Sequence, residues 1–195
     1  YNAPGDTEYQ TIGDSGCGPA AAVNAVSSIY GRGGNPIIGA ARMAIKGGYK
    51  EKNGGTRPEF FKDYFNKNGL DSSITTNKNQ MVDSIKSGNP VVLMGKDAKG
   101  TSNISPFGKN PHYVTVTGTD GNGNAVVQDP ESNYDNQVYK MKDLIGRSSL
   151  GVSAYGRSKY GMGYPSSKTN PNPPSEKLPA SVTRYKKTLI EACKK

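Results

Sequence analysis

The chain has 195 residues, of which 33% are hydrophobic, and its mean hydropathy is −0.70. No apolar run approaches the roughly 20 residues that a membrane-spanning helix needs, so the composition excludes a membrane protein. The 25 glycines and 13 prolines favour a turn-rich domain over a helical bundle. No heptad pattern persists, which excludes a coiled coil.

The formal net charge of +9 is unevenly distributed along the chain. Residues 1–146 hold 15 basic and 14 acidic side chains, whereas residues 147–195 hold 10 basic and 2 acidic ones. A nearly neutral body therefore precedes a strongly basic segment, which favours anionic partners such as nucleic acid, anionic lipid or the teichoic polymers of a cell wall. Because the segment contains no recognisable nucleic-acid-binding module, we favour the wall polymers and expect no nucleic-acid partner.

Three helices are predicted in the first ninety residues. The first covers residues 19–30, with a proline in its first turn and a glycine directly after its end. The second covers residues 56–68, where four aromatic side chains recur at helical spacing. The third covers residues 79–87 and ends at a Gly-Asn-Pro turn.

The periodicity then changes to that of strands. Residues 91–94 form a short apolar strand, and residues 113–117 alternate β-branched side chains. The sequence Asp-Gly-Asn-Gly at 120–123 predicts a tight turn, after which residues 124–128 return as the second strand of a hairpin. Helices followed by an antiparallel hairpin indicate an α+β domain.

Three regions are predicted along the chain. Residues 1–150 form one compact domain. Residues 151–180 form a basic linker that is first rich in Gly and Tyr and then rich in Pro. Residues 181–195 regain helical spacing and form a short basic helix.

A thiol stands at the start of the first helix. Cys17 lies between two glycines, where the first amide N–H groups and the positive end of the helix dipole favour the thiolate. The alternative is a buried cysteine that fills a tight turn. The second cysteine, Cys193, is far away in the sequence, and two cysteines do not make a disulfide framework, although a pairing between them stays open.

His112 is the single histidine and therefore the one imidazole that could take the proton of Cys17. A hairpin turn centred near residues 121 and 122 places residue 131 opposite 112, with a slip of two either way. Asp129 is then directly or diagonally beside His112, where its carboxylate would hold the imidazole in one tautomer. The alternatives are a solvated loop histidine and an Asp-Pro turn initiator.

Gln10 lies seven residues before Cys17. An amide side chain there could join the Cys17 backbone N–H in an oxyanion hole. Asp14 is a poorer candidate, because a carboxylate would repel an oxyanion. The alternative is a glutamine that precedes a helix and has no catalytic role.

As a set, these segments resemble the papain-like cysteine peptidases, and among them the bacteriocin-leader-processing type and its free-standing relatives. The matching segments are Gln10, residues 17–21, residues 88–92, residues 112–118 and residues 129–130, so the resemblance covers residues 5 to about 145. It implies a papain-like α+β fold, in which an N-terminal helix carrying the cysteine packs on an antiparallel sheet carrying the histidine and the aspartate.

The resemblance also implies the roles of the candidate residues. Cys17 would be the nucleophile, His112 the base, Asp129 the residue that orients it, and Gln10 the oxyanion donor. Members of this family usually place the glutamine six residues before the cysteine, and here the spacing is seven. We expect the extra residue to be absorbed in a loop at residues 13–16.

Neither a metal nor a cofactor is expected. One histidine and two distant cysteines cannot assemble the usual zinc sites. The sequence contains neither GxxxxGK[ST] nor GxGxxG, the loops that cradle phosphates.

The function predicted from the sequence is a monomeric cysteine peptidase or amidase that cleaves amide bonds in bacterial peptidoglycan peptides. Residues 181–195 resemble the opening helix of lytic transglycosylase or lysozyme-like domains, which favours a wall-degrading protein of phage, conjugative or cellular origin. Such a protein would act outside the cell, in the cell wall or on a virion. The alternatives are a leader peptidase that cuts after a double-glycine site in a bacteriocin export system, and an inactive wall-binding module.

Overall fold

The computed structural model describes residues 1–7, 10–31, 37–97, 105–132 and 136–156. The helices among these residues are α1 (Ile12–Ser15), α2 (Cys17–Tyr30), α3 (Ile37–Lys46), α4 (Glu59–Lys67), α5 (Lys78–Lys86) and α6 (Met141–Arg147). The strands are β1 (Leu70–Thr75), β2 (Val91–Gly95), β3 (His112–Thr119), β4 (Ala125–Gln128), β5 (Gln137–Tyr139) and β6 (Ser148–Gly156). No helix in these ranges is both long enough and apolar enough to cross a membrane.

The strands form one antiparallel sheet in the order β1-β6-β2-β3-β4-β5. β6 lies between β1 and β2, so the last strand of the described chain is an interior strand of the sheet. It continues to Gly156, which carries the sheet past residue 150, where the sequence placed the end of the domain. Residues 151–156 of the predicted linker therefore belong to the sheet, and the rest of the linker and the predicted helix at 181–195 lie outside the described residues.

Helices cover both faces of the sheet, and the alternation of side chains along each strand assigns residues to the two faces. Val92 faces the core formed with α2, α3 and α4, whereas its neighbours Val91 and Leu93 face the core formed with α5 and α6. Strands that are buried on both faces explain why residues 91–94 form a continuous apolar run. The predicted α+β, papain-like arrangement of helices on an antiparallel sheet is confirmed.

The three predicted helices are present with shifted ends. α2 begins two residues earlier than predicted, at Cys17, and ends at Tyr30. The next residue, Gly31, has a φ of +63°, the left-handed conformation that glycine adopts at low cost. α4 begins three residues later than predicted, after Pro58. α5 is displaced by one residue and is capped by the side chain of Asn77, which accepts from the backbone N–H groups of Asn79 and Gln80.

The prediction of a loop at residues 13–16 is wrong, because most of this segment forms the short helix α1. A capping box stabilises it: the Asp14 carboxylate accepts from the Thr11 backbone N–H at 2.6 Å, and the Thr11 hydroxyl accepts from the Asp14 N–H at 3.3 Å. The extra residue before Cys17 is thus accommodated in a helical turn, and Asp14 has a structural role at its start.

The pairing of β2 with β3 brings the backbone at Gly95 close to a phenyl ring. Gly95 pairs with His112, and a Cβ on Gly95 would lie 2.6 Å from Phe107 Cε2 and 2.8 Å from the carbonyl oxygen of Arg147. We expect Gly95→Ala to lower the free energy of unfolding by about 1–3 kcal/mol, because packed neighbours have to move. Gly118→Ala in β3 is the matched control, since its Cβ would meet no described atom within 4 Å. Equal urea midpoints for the two variants would contradict this account.

Candidate active site

The first turn of α2 carries Cys17, a half-buried free thiol. The helix is docked on the sheet by the hydroxyl of Thr115 in β3, which donates to the Ala21 carbonyl at 2.8 Å. Next to Cys17 the helix makes a close approach to Thr56, because a Cβ on Gly18 would lie 2.7 Å from the Thr56 Cβ. The glycine after the thiol is therefore required by packing, and it fixes how the start of the helix lies against the rest of the domain.

His112 and Asp129 lie at one end of the β3–β4 hairpin. β3 begins at His112, β4 ends one residue before Asp129, and the ladder pairs Thr115 with Gln128. The imidazole Nε2 is 2.7 Å from Asp129 Oδ1, and the two residues are 4% and 7% exposed. The contact predicted from the position of the turn is confirmed, and the solvated-loop alternative for His112 is wrong.

The backbone that follows β4 anchors the Asp129 carboxylate. The N–H of Glu131 donates to Asp129 Oδ1 at 2.9 Å, and the N–H of Ser132 donates to the Asp129 carbonyl at 3.2 Å. Asp129 therefore starts a turn, as Asp-Pro sequences commonly do, and the same carboxylate contacts the imidazole. The turn-initiator interpretation is compatible with the predicted orienting role, which stays a prediction.

The surroundings of His112 favour the imidazolium form. Burial lowers the pKa of His112, but the hydrogen bond to Asp129 and the hydrogen bonding and charge of Cys17 outweigh it and raise the pKa from 6.5 to about 10. Nε2 is engaged with Asp129, whereas the buried Nδ1 makes no hydrogen bond within the described part of the chain. Nδ1 is therefore the ring nitrogen that a reacting group could use.

Gln10 precedes α1 in the chain and Cys17 follows it, and the Gln10 carboxamide is held through its oxygen. Oε1 accepts from Lys50 Nζ at 2.8 Å and from Ser15 Oγ at 3.1 Å. Both of these hydrogen bonds use the carboxamide oxygen, so neither occupies the amide NH2 group. An oxyanion donor needs such an N–H group.

Two groups near the site, Glu131 and Tyr1, were not predicted from the sequence. The carboxylate of Glu131 is exposed and lies 3.3 Å from His112 Nδ1. Its position could have been predicted from the hairpin, because the same turn position places residue 131 opposite residue 112.

The Tyr1 hydroxyl lies 2.8 Å from Thr56 Oγ1, and burial, together with the nearby charge of Cys17, raises the pKa of Tyr1 to about 12. Nothing in the sequence indicates that contact, because 55 residues separate the partners.

In the part of the chain that the structure describes, no three His, Cys, Asp or Glu side chains gather as they would to hold a metal ion. Cys193, for which the sequence left a pairing with Cys17 open, lies outside the described residues.

The chain is similar to known peptidase domains. The peptidase domain of Streptococcus ComA, described as a bi-functional ABC transporter involved in quorum sensing, has a TM-score of 0.55 at 16% identity, covering 78% of this chain and 97% of that one. The N-terminal peptidase C39 like domain of the toxin secretion ATP-binding protein from Vibrio parahaemolyticus has a TM-score of 0.44 at 13% identity, covering 70% and 97%. No curated protein matches the chain.

The likeness to the Streptococcus domain shows the fold alone, whereas the family follows from the sequence. The model of the Peptidase_C39 like family matches residues 6–150, a range that contains the helix with Cys17 and the hairpin with His112 and Asp129. The match confirms the resemblance to papain-like cysteine peptidases: this chain belongs to the Peptidase_C39 like family.

Proposed function

We propose that the chain hydrolyses peptide bonds, with Cys17 as nucleophile, His112 as acid and base, Asp129 as the residue that orients His112, and Gln10 as an oxyanion donor. The observation that carries the proposal is the buried 2.7 Å contact between His112 Nε2 and Asp129 Oδ1, which leaves Nδ1 for Cys17. A thiol is activated when a base lies beside it and a third group orients that base.

In the first half of the reaction, the Cys17 thiolate adds to the carbonyl carbon of the substrate. The carbonyl oxygen takes the negative charge and accepts hydrogen bonds from the Cys17 backbone N–H and from the Gln10 amide. His112 gives its Nδ1 proton to the departing nitrogen, the C–N bond breaks, and a thioester and a free amine result.

In the second half, a water molecule attacks the thioester while His112 takes one of its protons. The C–S bond breaks, the carboxylic acid leaves, and Cys17 is again a thiolate beside an imidazolium. Throughout, Asp129 keeps Nε2 protonated, so the exchangeable proton stays on Nδ1.

For the substrate, we propose leader peptides cleaved after a double-glycine site. The family and the fold likeness to the peptidase domain of an ABC transporter support a secreted peptide as substrate. The second candidate is the peptide part of peptidoglycan, and the observation in its favour is the charge of residues 147–195, where 10 basic side chains accompany 2 acidic ones. That candidate would place the protein outside the cell or on a virion, with the basic segment on anionic wall polymers.

A comparison of two substrates separates these candidates. We expect the purified chain to cleave a peptide after Gly-Gly with a kcat/KM at least about tenfold above that of its Ala-Ala counterpart, because added methyl groups have to fit beside the scissile bond. The parallel sample is isolated peptidoglycan, with released amines assayed and products identified by mass spectrometry. Release from peptidoglycan without Gly-Gly cleavage favours the second candidate. Wall binding with no hydrolysis of either substrate contradicts the peptidase proposal and favours an inactive binding module.

A further inference from the structure

Lys50 is a buried cation that the proposed chemistry does not use. Its side chain is 0% exposed, and its three ammonium hydrogens have three acceptors: Gln10 Oε1 at 2.8 Å, the Glu51 carbonyl at 2.9 Å and the Gly54 carbonyl at 2.6 Å. The carboxylate of Asp6, itself 1% exposed, lies 3.7 Å away and compensates the charge. A buried lysine with all its donors engaged holds each of its acceptors in place.

The ammonium group determines which end of the Gln10 carboxamide faces it. An ammonium group has donors and no acceptor, so it can contact the oxygen of an amide but not its NH2 group. Ser15 Oγ donates to the same oxygen at 3.1 Å, so both lone pairs are occupied. The Gln10 backbone is also fixed, because its N–H donates to Asn2 Oδ1 at 3.2 Å. The NH2 group is therefore directed away from Lys50.

The segment that carries Lys50 packs beside the first turn of α2. Lys50 forms an isolated antiparallel bridge with Thr56, and Thr56 is the residue that a Cβ on Gly18 would strike. Lys50 Nζ also lies over the ring of Tyr1, 5.3 Å from its centroid. Ser15, the other donor to Gln10, is two residues before Cys17. Gln10 is thus held by two groups, Lys50 and Ser15, whose chain segments adjoin the first turn of α2.

We propose that Lys50 is a positioning residue that holds the Gln10 carboxamide oxygen, so that the amide NH2 is presented to the oxyanion formed when Cys17 attacks. The inference rests on the proposed peptidase function. In this proposal the orientation of the Gln10 amide depends on a residue that lies 40 positions away in the sequence. A fixed donor stabilises the oxyanion without reorganising during the reaction, and this is the source of its catalytic effect.

The kinetic test is a double-mutant cycle between Lys50 and Gln10. Gln10→Ala should lower kcat by about 10²-fold, the usual cost of removing one oxyanion donor. Lys50→Met should lower kcat by about tenfold or more with little change in KM, and the double variant should be no slower than Gln10→Ala. Lys52→Met, an exposed position on the same segment, is the matched control and should be unchanged. Equal losses from Lys50→Met in the wild-type and Gln10→Ala backgrounds overturn the proposal, because Lys50 would then act independently of Gln10.

A second measurement does not depend on activity. In protein labelled with ¹⁵N-glutamine, the Gln10 side-chain NH2 signals are identified by their loss in Gln10→Ala. Wild-type protein should show NOEs from these protons to Cys17, and their absence overturns the proposal without any lysine variant. Lys50→Met should abolish these NOEs and speed exchange of the NH2 protons with water, and unchanged signals overturn the positioning role. Absence of any Cys17-dependent hydrolysis instead contradicts the peptidase proposal, so the two failures are distinguishable.

Discussion

Cys17→Ala is expected to lower peptide hydrolysis by about 10⁴-fold or more, because it removes the atom that attacks the carbonyl in the proposed mechanism. The side chain is half-buried and contributes one sulfur to packing, so α2 should keep its position against Thr115 and Thr56. Initial rates with the preferred substrate of the wild-type protein are the measurement.

Cys193→Ala is the matched control for this variant. It removes the other thiol of the chain and should leave the rate unchanged. Circular dichroism and the Tm establish that the Cys17 variant is folded. A folded Cys17→Ala protein that retains wild-type turnover would contradict the assignment of the nucleophile, whatever substrate is used.

His112→Gln is expected to lower kcat/KM by about 10²–10⁴-fold, the range for loss of a general acid-base group. Glutamine keeps a polar group near Asp129 but cannot give a proton to the leaving amine. In the wild type the pKa of His112 is raised to about 10, so the imidazolium is present through neutral pH and is lost as the pH rises through 10. The wild-type profile of kcat/KM should therefore fall on the alkaline side near pH 10, and the residual activity of the variant should lack this fall.

Alkylation by iodoacetamide checks the same pair without a substrate. If His112 acts on the thiol as proposed, Cys17 should react much faster near pH 6 in the wild type than in His112→Gln. Cys193, followed in the same samples by mass spectrometry, is the internal reference. Equal rates at Cys17 in the two proteins would show that His112 does not act on the thiol.

More of the candidate site than of the sheet could be predicted from the sequence. One histidine in the chain and a clear Asp-Gly-Asn-Gly turn were enough to place Asp129 beside His112, because antiparallel pairing converts a turn position into a contact. The register has a bulge between Val116 and Gly118, yet the pairs nearest His112 keep the spacing that the turn implies. Local geometry was therefore sufficient for that contact.

Two of the three described strands that were not predicted lack the side chains that mark strands. β1 (Leu70–Thr75) is largely polar and lies at the sheet edge, and β6 (Ser148–Gly156) is built from Ser, Gly and Ala with few β-branched residues. At Gly151 a Cβ would lie 2.8 Å from Met81 Cγ, so close packing of α5 requires a residue that also weakens the strand signal. Packing between distant parts of the chain requires a small residue at such a position, and the local sequence pattern does not show that requirement.

The role inferred for Lys50 was equally hidden. It is one of 25 basic residues in the sequence, and its partners Asp6 and Gln10 lie 44 and 40 positions away. A buried ammonium is rare enough that the expectation for any lysine is a solvated surface position. The fold alone identifies the exception.

The interior position of β6 has a consequence for how the domain is synthesised. β1 pairs with β6 some eighty residues later, and β2 pairs with both β3 and β6, so the centre of the sheet cannot close until Gly156 has left the ribosome. Contacts this distant in sequence slow folding, and until then the backbone N–H and C=O groups on the edges of β1 and β2 that face β6 stay unpaired. A gene fragment cut at residue 150, where the family match ends, would encode three of the nine residues of β6. In its product, most of the backbone groups of β1 and β2 that pair with β6 would have no partner strand.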